Sequence, residues 1–453
     1  DDMGLGKTLQ TIALLQYIKE NHIQKNSTKN SAVQLSLFDD YANYRNTLRA
    51  LVVLPASLVF NWEAELKKFA PQLMIKRFIG SGRATNHHEL EYFDVILTTY
   101  QTAQRDEKLL QKLDFRVIIL DESHYIKNKD TKVFKSLSQL KAYQRITLSG
   151  TPVENSLSDL WAQMQFINPD ILGEYTFFNS HFKIPIEKEK NKDRVEELKS
   201  LIMPFLLRRT KDEVLKDLPP LMEQIIYSEM GEEQYKLYEA EKSAVRNQIL
   251  NLSDSSNFNK INILNALMRL RQLCNHPSML NLNHPSSKFE DVKEYLHNLL
   301  KAGHNVLIFS VFVKHLTIYE TYLKEEKIEY AMLTGELDEN ARKTEVDRFM
   351  NNDNCRIFLM SLKAGGVGLN LTKASYVIIL DPWWNPFTER QAIARAHRMG
   401  QENKVTVLRF ITKDSIEEKI LQLQKGKLEL ASEFVDVGDF PDLNQQNIEF
   451  LID

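Results

Sequence analysis

The chain opens on Asp1-Asp2-Met3-Gly4-Leu5-Gly6-Lys7-Thr8, and no other stretch restricts the fold as much. Gly4 and Gly6 let the backbone turn tightly, so that amide N–H groups point inward at an anion. Lys7 has the reach for the β- and γ-phosphates of a nucleotide, and the Thr8 hydroxyl can hold Mg²⁺. The run Leu9-Gln10-Thr11-Ile12-Ala13-Leu14-Leu15 reads as a helix whose positive end faces the same phosphates. Gly4, Leu5, Gly6, Lys7 and Thr8 are therefore candidate ATP-binding residues. The pattern is the ending of a phosphate loop, Gly-x-Gly-Lys-Thr; position 1, where the long pattern has its first glycine, is Asp. A glycine turn in front of an ordinary helix is the bland alternative, and the remaining motifs decide between them.

The alternation along the rest of the chain indicates parallel sheets covered on both faces, an α/β class. Strands are expected at 48–54, 93–100, 116–120 and 145–149, with a helix from about Leu58 to Phe69. Residues 26–46 are polar and aperiodic and read as a surface insertion. From about residue 155 to 279 strand signals thin out and helical periodicity dominates. The strand-helix rhythm returns at 305–310, 330–333, 356–360, 376–380 and 405–410, closed by a helix from Ser415 to about Leu430. Residues 1–154 are thus expected to form a first lobe, 155–279 a helical segment, 280–430 a second lobe and 431–453 an acidic tail.

Composition narrows the function classes. A chain of 453 residues exceeds one compact core, and 43% hydrophobic with 26% charged residues is ordinary for a water-soluble protein. No apolar run approaches the roughly 20 residues that cross a bilayer, so no membrane association is expected. The start inside a phosphate loop, with no initiator Met, suggests that an upstream part is missing. Cys274 and Cys355 are the only cysteines, which rules out a disulfide framework and a cysteine-based zinc site and fits a reducing interior. The expected location is cytoplasmic: nucleoid-associated in a bacterium, nuclear in a eukaryote. His276 and His297 stand alone and are not expected to be ligands. A net charge of −3 argues against a protein coated in basic residues, yet a local groove of Lys, Arg and amides can still hold nucleic-acid phosphates.

Asp121-Glu122-Ser123-His124 comes directly after a strand, where ligands bind in open α/β sheets. Asp121 is suited to hold Mg²⁺ through water, and Glu122 to polarise a water that attacks the γ-phosphate. The run Gln391-Ala-Ile-Ala-Arg395-Ala-His-Arg398 would, as a helix, put Gln391, Arg395 and Arg398 on one face. Two guanidiniums there could neutralise charge on a transferring phosphoryl group.

Together, the phosphate loop, the Asp-Glu-x-His box and Ser149-Gly150-Thr151-Pro152 resemble the superfamily-two helicase-type ATPases. Finer features resemble the Swi/Snf-type remodelling ATPases. These are Leu54-Pro55-Ala56-Ser57-Leu58 with Asn61-Trp62, Leu97-Thr98-Thr99-Tyr100, Leu207-Arg208-Arg209-Thr210-Lys211 and Arg269-Leu270-Arg271-Gln272-Leu273-Cys274-Asn275-His276-Pro277. Ser361–Leu371 and Asp381-Pro382-Trp383-Trp384-Asn385-Pro386 complete the set. Leu362 stands where the family often has Thr.

The resemblance implies two RecA-like lobes and an ATPase that uses Mg²⁺, is stimulated by DNA and tracks along duplex DNA without separating its strands. It implies catalytic roles for Lys7, Asp121, Glu122, Gln391, Arg395 and Arg398, and nucleotide contact at Gly368. It implies DNA contact by Ser57, Asn61, Thr99, Lys363, Gly365, Gly366 and Trp383, and coupling through His124, Ser149, Gly150 and Thr151. Arg208 and Arg209 are expected to tie the helical segment to the lobes. A strand-separating helicase and a nucleotide-controlled DNA-binding platform stay open as alternatives. One stretch stands apart: Gln34-Leu35-Ser36-Leu37-Phe38, with Gln34, Leu35, Leu37 and Phe38 as anchors, is similar to the peptide by which bacterial proteins dock on the replication sliding clamp.

Overall fold

The structure is a computed structural model that describes residues 1–2, 4–27, 47–150, 157–187, 189–252, 260–365 and 369–433. The clamp-type stretch 34–38, Thr151, Gly366, Gly368 and the tail beyond residue 433 lie outside them.

Two compact units succeed one another, Asp1–Val214 and Leu215–Ala431. The first is built on strands β1 (Ala50–Leu54), β2 (Ile75–Phe78), β3 (Val95–Thr99), β4 (Phe115–Asp121) and β5 (Ala142–Leu148) in the order β2-β3-β1-β4-β5. Every pairing is parallel. β1 and β3 are buried along their full length, as strands covered on both faces must be. Two helices border the ends of these strands. α1 (Lys7–Ser27) starts at the phosphate loop, and α2 (Val59–Phe69) leaves the end of β1 by way of Pro55 and the single turn Ala56–Leu58. Leu58, Trp62 and Leu66, four residues apart, form the buried stripe of that stretch, while Asn61, Lys67 and Lys68 face solvent.

The second unit carries β6 (Leu221–Ser228), β7 (Val306–Ser310), β8 (Tyr330–Leu333), β9 (Ile357–Ser361), β10 (Tyr376–Ile379) and β11 (Val405–Thr412) in the order β6-β11-β10-β7-β9-β8. These pairings are parallel too. Clusters built on Leu307, Phe358 and Val377 and on Ile308, Leu359 and Leu408 fill its two faces.

All nine expected strands are present, and two more are not legible in advance. β2 and β6 are edge strands, half exposed, so their side chains lack a continuous apolar run. β6 also adds a strand to the segment over 155–279, where helical periodicity is expected to dominate. Leu221–Ser228 pairs with β11 residue for residue, and the division between units falls inside that segment, after Val214. Among the described residues, no helix is long and apolar enough to cross a membrane.

Candidate nucleotide site

Gly4 and Gly6 both have positive φ, 86° and 74°, and α1 begins at the next residue. A side chain with a Cβ would be strained at either position. The first amides of α1 therefore open onto the loop with the helix dipole behind them. The Lys7 ammonium donates to the Asp1 and Asp2 carbonyls at 3.0 and 3.2 Å, which brings it back over the loop. The Thr11 hydroxyl donates to the Lys7 carbonyl at 2.7 Å. Thr8 lies on the first turn of the helix and is half-buried.

The loop is clasped from far along the chain. Arg209 donates to both carboxylate oxygens of Asp1, at 2.8 and 3.2 Å, and to the Gln10 side chain. Asp2 N–H bonds the Arg209 carbonyl at 3.0 Å, and Lys211 N–H bonds the Asp2 carboxylate at 3.1 Å. Arg209 thus ties its segment to the phosphate loop. The sequence suggests that kind of role without naming the loop as the partner.

The carboxylate pair sits at the end of β4, next to the end of β1, since Val53 pairs with Leu120. Asp121 is buried and accepts from the Trp62 indole N–H at 2.8 Å and from the Glu122 N–H at 3.0 Å. The Tyr100 hydroxyl bonds the Asp121 carbonyl at 2.8 Å. Burial first, and the neighbouring Glu122 second, push the Asp121 carboxyl up to about 6, although Trp62 and Lys7 pull the other way. Glu122 takes a left-handed backbone, φ 51°, costing about 1 kcal/mol for a residue with a Cβ. Its carboxylate lies 3.5 Å from His124 Nδ1. Ser123 donates to Gln163 at 2.7 Å.

A cavity of about 420 Å³ opens beside the phosphate loop, lined by Lys7, Gln10 and Thr11 of α1, by Ser149 and Gly150 just past β5, and by Leu206 and Gln163, the partner of Ser123. The first unit therefore brings together Gly4, Gly6, Lys7, Thr8, Asp121, Glu122 and His124, with Ser149 and Gly150 on the wall. A magnesium ion fits the donor set. Two adjacent carboxylates, one of them buried with its affinity for protons raised, favour a hard cation with oxygen ligands, and the Thr8 hydroxyl lies on the phosphate-loop helix.

The proposed DNA contacts fall in different environments. Ser57 is half-buried and Asn61 exposed, at the start of α2. Thr99 is buried, and its hydroxyl caps the helix Tyr100–Arg105 by accepting from Thr102 N–H at 3.1 Å. A role for Thr99 in gripping DNA therefore has to run through its backbone. Lys363 and Gly365 fall on the short helix Leu362–Gly365. Trp383 is half-buried and stacks on the Arg271 guanidinium 5.2 Å away, while Trp384 is buried in the cluster with Leu267, Leu270 and Ile416.

The single helical face expected of Gln391, Arg395 and Arg398 is corrected by the structure. The helix Pro386–Ile393, capped by Asn385, stops after Ile393, so only Gln391 lies on it. Arg395 and Arg398 come after it, on a turn. The Gln401 side-chain amide tethers that turn to the segment before β10, lying 2.9–3.0 Å from the carbonyls of Thr372 and Ala374 there and of Ala396 in the turn, and Leu371 N–H donates to the Arg395 carbonyl at 3.0 Å, a group a continued helix would have used. His397 Nε2 meets the Pro219 carbonyl at 2.8 Å, and Arg398 donates to the Leu369 carbonyl at 3.2 Å. Arg395 is buried.

Sequence reasoning missed Trp62 as a partner of Asp121, although Asn61-Trp62 stood among the motif residues. It also missed the fully buried Arg271, which bonds the Pro382 carbonyl at 2.7 Å and lies 3.6 Å from Asp381.

The amino-acid sequence also matches known proteins. The SNF2-related domain profile matches residues 1–279, and the helicase conserved C-terminal domain matches residues 287–400. The chain is 35% identical to an uncharacterized ATP-dependent helicase of Mycoplasma pneumoniae, over 99% of this chain and 41% of that protein. It is 33% identical to the CHD3-type chromatin-remodeling factor PICKLE of Arabidopsis thaliana, over 100% of this chain and 34% of that one. The SWI2/SNF2 ATPase core of Sulfolobus solfataricus, solved in complex with dsDNA, is 36% identical over 100% of this chain and 92% of its own, with a TM-score of 0.45. The chain spans less than half the length of these curated relatives.

Proposed function

The chain belongs to the SNF2-related family, and on that premise we propose that it hydrolyses ATP as the magnesium complex and uses the energy to move along duplex DNA, displacing or remodelling bound proteins without parting the strands. The observation that carries this reading is the meeting, in one unit, of Lys7 at the mouth of α1 with the Asp121-Glu122 pair at the end of β4. Relatives described as an ATP-dependent helicase and as a chromatin-remodeling factor support ATP-driven work on nucleic acid.

Each residue has a physical task. The loop amides at Gly4–Thr8 and the Lys7 ammonium neutralise the β- and γ-phosphates. Thr8 and, through water, Asp121 would hold the magnesium ion, which supplies charge neutralisation at the phosphoryl oxygens. Glu122 orients and polarises the attacking water, and His124 steadies Glu122 from 3.5 Å. Gln391, Arg395 and Arg398 are assigned to hydrolysis, with the arginines compensating charge that develops in the transition state. Gly368 is assigned to nucleotide contact. Ser57, Asn61, Lys363, Gly365, Gly366 and Trp383 are assigned to the DNA, mainly to its backbone, which makes sequence preference weak. Ser149, Gly150 and Thr151 carry the state of the nucleotide to that surface.

Steady-state ATPase with and without duplex DNA tests the proposal. Duplex is expected to stimulate hydrolysis, and Lys7→Ala or Glu122→Gln to lower the stimulated rate by about 100-fold or more. An unaltered rate in either variant contradicts the mechanism. Fork unwinding set beside triplex displacement separates translocation from strand separation: displacement without unwinding is expected.

A further inference from the structure

Asp121 is a buried carboxylate whose two oxygens are each held by one donor. One donor is the N–H of the next residue, which any amino acid but proline would supply. The other is the Trp62 indole N–H at 2.8 Å, with Trp62 only 1% exposed. An indole N–H donates and never accepts, and burial obliges it to find a partner. A donor to an ionised carboxylate makes one of the stronger hydrogen bonds available to a neutral side chain. Packing alone does not require a Trp here, because a phenyl ring would fill much of the same apolar space between α2 and the sheet.

The position of Trp62 matters as much as its bond. It belongs to α2, whose opposite face carries exposed Asn61, Lys67 and Lys68. Glu63 on the same helix is 2.7 Å from Lys67 and 3.3 Å from Arg77 of β2. One turn of helix therefore separates the outer surface from the carboxylate assigned to the cation. Any rotation or shift of α2 changes the 2.8 Å bond.

We propose that Trp62 is a positioning residue: its N–H sets the Asp121 carboxylate for the cation and links it to α2, so that duplex held at α2 is sensed at the metal. The sensing half rests on the function proposed above; the metal half does not. Outer partners that orient a ligating carboxylate commonly change metal affinity or activity by about 10- to 100-fold when removed.

The experiment replaces Trp62 with Phe, and in parallel with 3-benzothienylalanine, which keeps the bicyclic shape but has sulfur in place of N–H. The readouts are the Mg²⁺ concentration giving half-maximal binding of a fluorescent, non-hydrolysed ATP analogue, duplex affinity, and the ratio of ATPase rates with and without duplex. The half-saturating Mg²⁺ concentration is expected to rise about tenfold and the stimulation ratio to fall about tenfold, with duplex affinity unchanged. Unchanged Mg²⁺ dependence in the benzothienyl variant overturns the positioning role, even if the Phe variant fails to fold. A raised Mg²⁺ requirement with full stimulation overturns the link to DNA alone. An unsubstituted protein that duplex fails to stimulate removes the function itself, and the Mg²⁺ readout still decides the role of Trp62.

Discussion

Two buried aspartates, one in each unit, sit in matching places and meet opposite fates. Asp121 ends β4 of the first sheet, and Asp381 lies two residues past the end of β10 in the second. Both are buried, Asp381 completely and Asp121 with 8% of its surface exposed. Among the described residues, Lys7 is the cation that pulls the Asp121 carboxyl down, and burial together with Glu122 pushes it up to about 6. Burial would raise Asp381 as well, but His315, the Arg271 guanidinium and the Ser310 hydroxyl outweigh it and hold the carboxyl below its usual range. Ser310 Oγ donates to it at 2.5 Å and Val311 N–H at 3.0 Å. Arg271 is itself packed under the faces of Phe312, Trp383 and Trp384. Nearby, buried Lys288 and Glu417 neutralise each other at 2.5 Å. The second unit has closed its charge balance internally. The first has left a negative site open beside a phosphate loop. A buried acid that its own protein does not neutralise marks a place for a ligand, and one that is neutralised marks a joint.

Removing each aspartate should break the symmetry most clearly. Asp381→Asn leaves Arg271 buried without its counter-charge and is expected to cost about 3–5 kcal/mol, read as a fall in denaturation midpoint. Asp121→Asn is expected to abolish the ATPase without loss of stability. A destabilised Asp121→Asn of similar size would mean that the two sites do the same work.

Acidity sharpens the contrast. The Asp121 carboxyl is raised from its ordinary value of 3.8 to about 6. The folded state therefore holds the proton more tightly than the unfolded chain. The associated stability is fully present below pH 3.8 and is lost as pH rises through about 6. Over that window the unsubstituted protein, free of Mg²⁺, should lose about 3 kcal/mol relative to Asp121→Asn, measured as the difference between their denaturation curves. Saturating Mg²⁺ and ATP analogue should return a similar amount, about 2.7 kcal/mol at a hundredfold excess over Kd, and less in Asp121→Asn, where the loop amides and Lys7 hold the nucleotide without that carboxylate.

The smallest effect concerns Thr99. If its hydroxyl works as a helix cap, Thr99→Ala costs about 1 kcal/mol and leaves duplex affinity within twofold. A large loss of DNA binding with unchanged stability would return that hydroxyl to the DNA surface.

The contrast also explains why some features are legible in the residues alone. The phosphate loop, α1 and nine of the strands are legible because each depends on local pattern: glycines at fixed spacing and apolar, often β-branched runs. β2 and β6 are not, because polar and charged residues interrupt them, Lys76-Arg77 in one and Glu223-Gln224 in the other, whereas the other two edge strands, β5 and β8, keep the apolar runs 146–148 and 330–333. The Gln391–Arg398 stretch has helical periodicity, yet the helix stops after Ile393, and the turn that follows is tied to residues 371–374 through the Arg395 carbonyl and the Gln401 side chain. No periodicity rule sees a distant group competing for the backbone. Asp121 is marked by its place after a strand, but Trp62, a partner 59 positions away, is visible only once β1 and β4 lie side by side. The charge closure around Asp381 depends on Arg271, 111 positions from the Pro382 carbonyl it bonds, and is equally non-local.

The clasp of Arg209 on Asp1 has a consequence for how the molecule is made. The two residues are 208 positions apart, and Lys211 secures Asp2 from a similar distance. At about 5–20 residues per second a ribosome needs roughly 10–40 s to cover that interval. Until then the nascent loop lacks these restraints, and the growing polypeptide carries an unfinished anion cradle. Translation thus sets the earliest moment at which the engine can be primed.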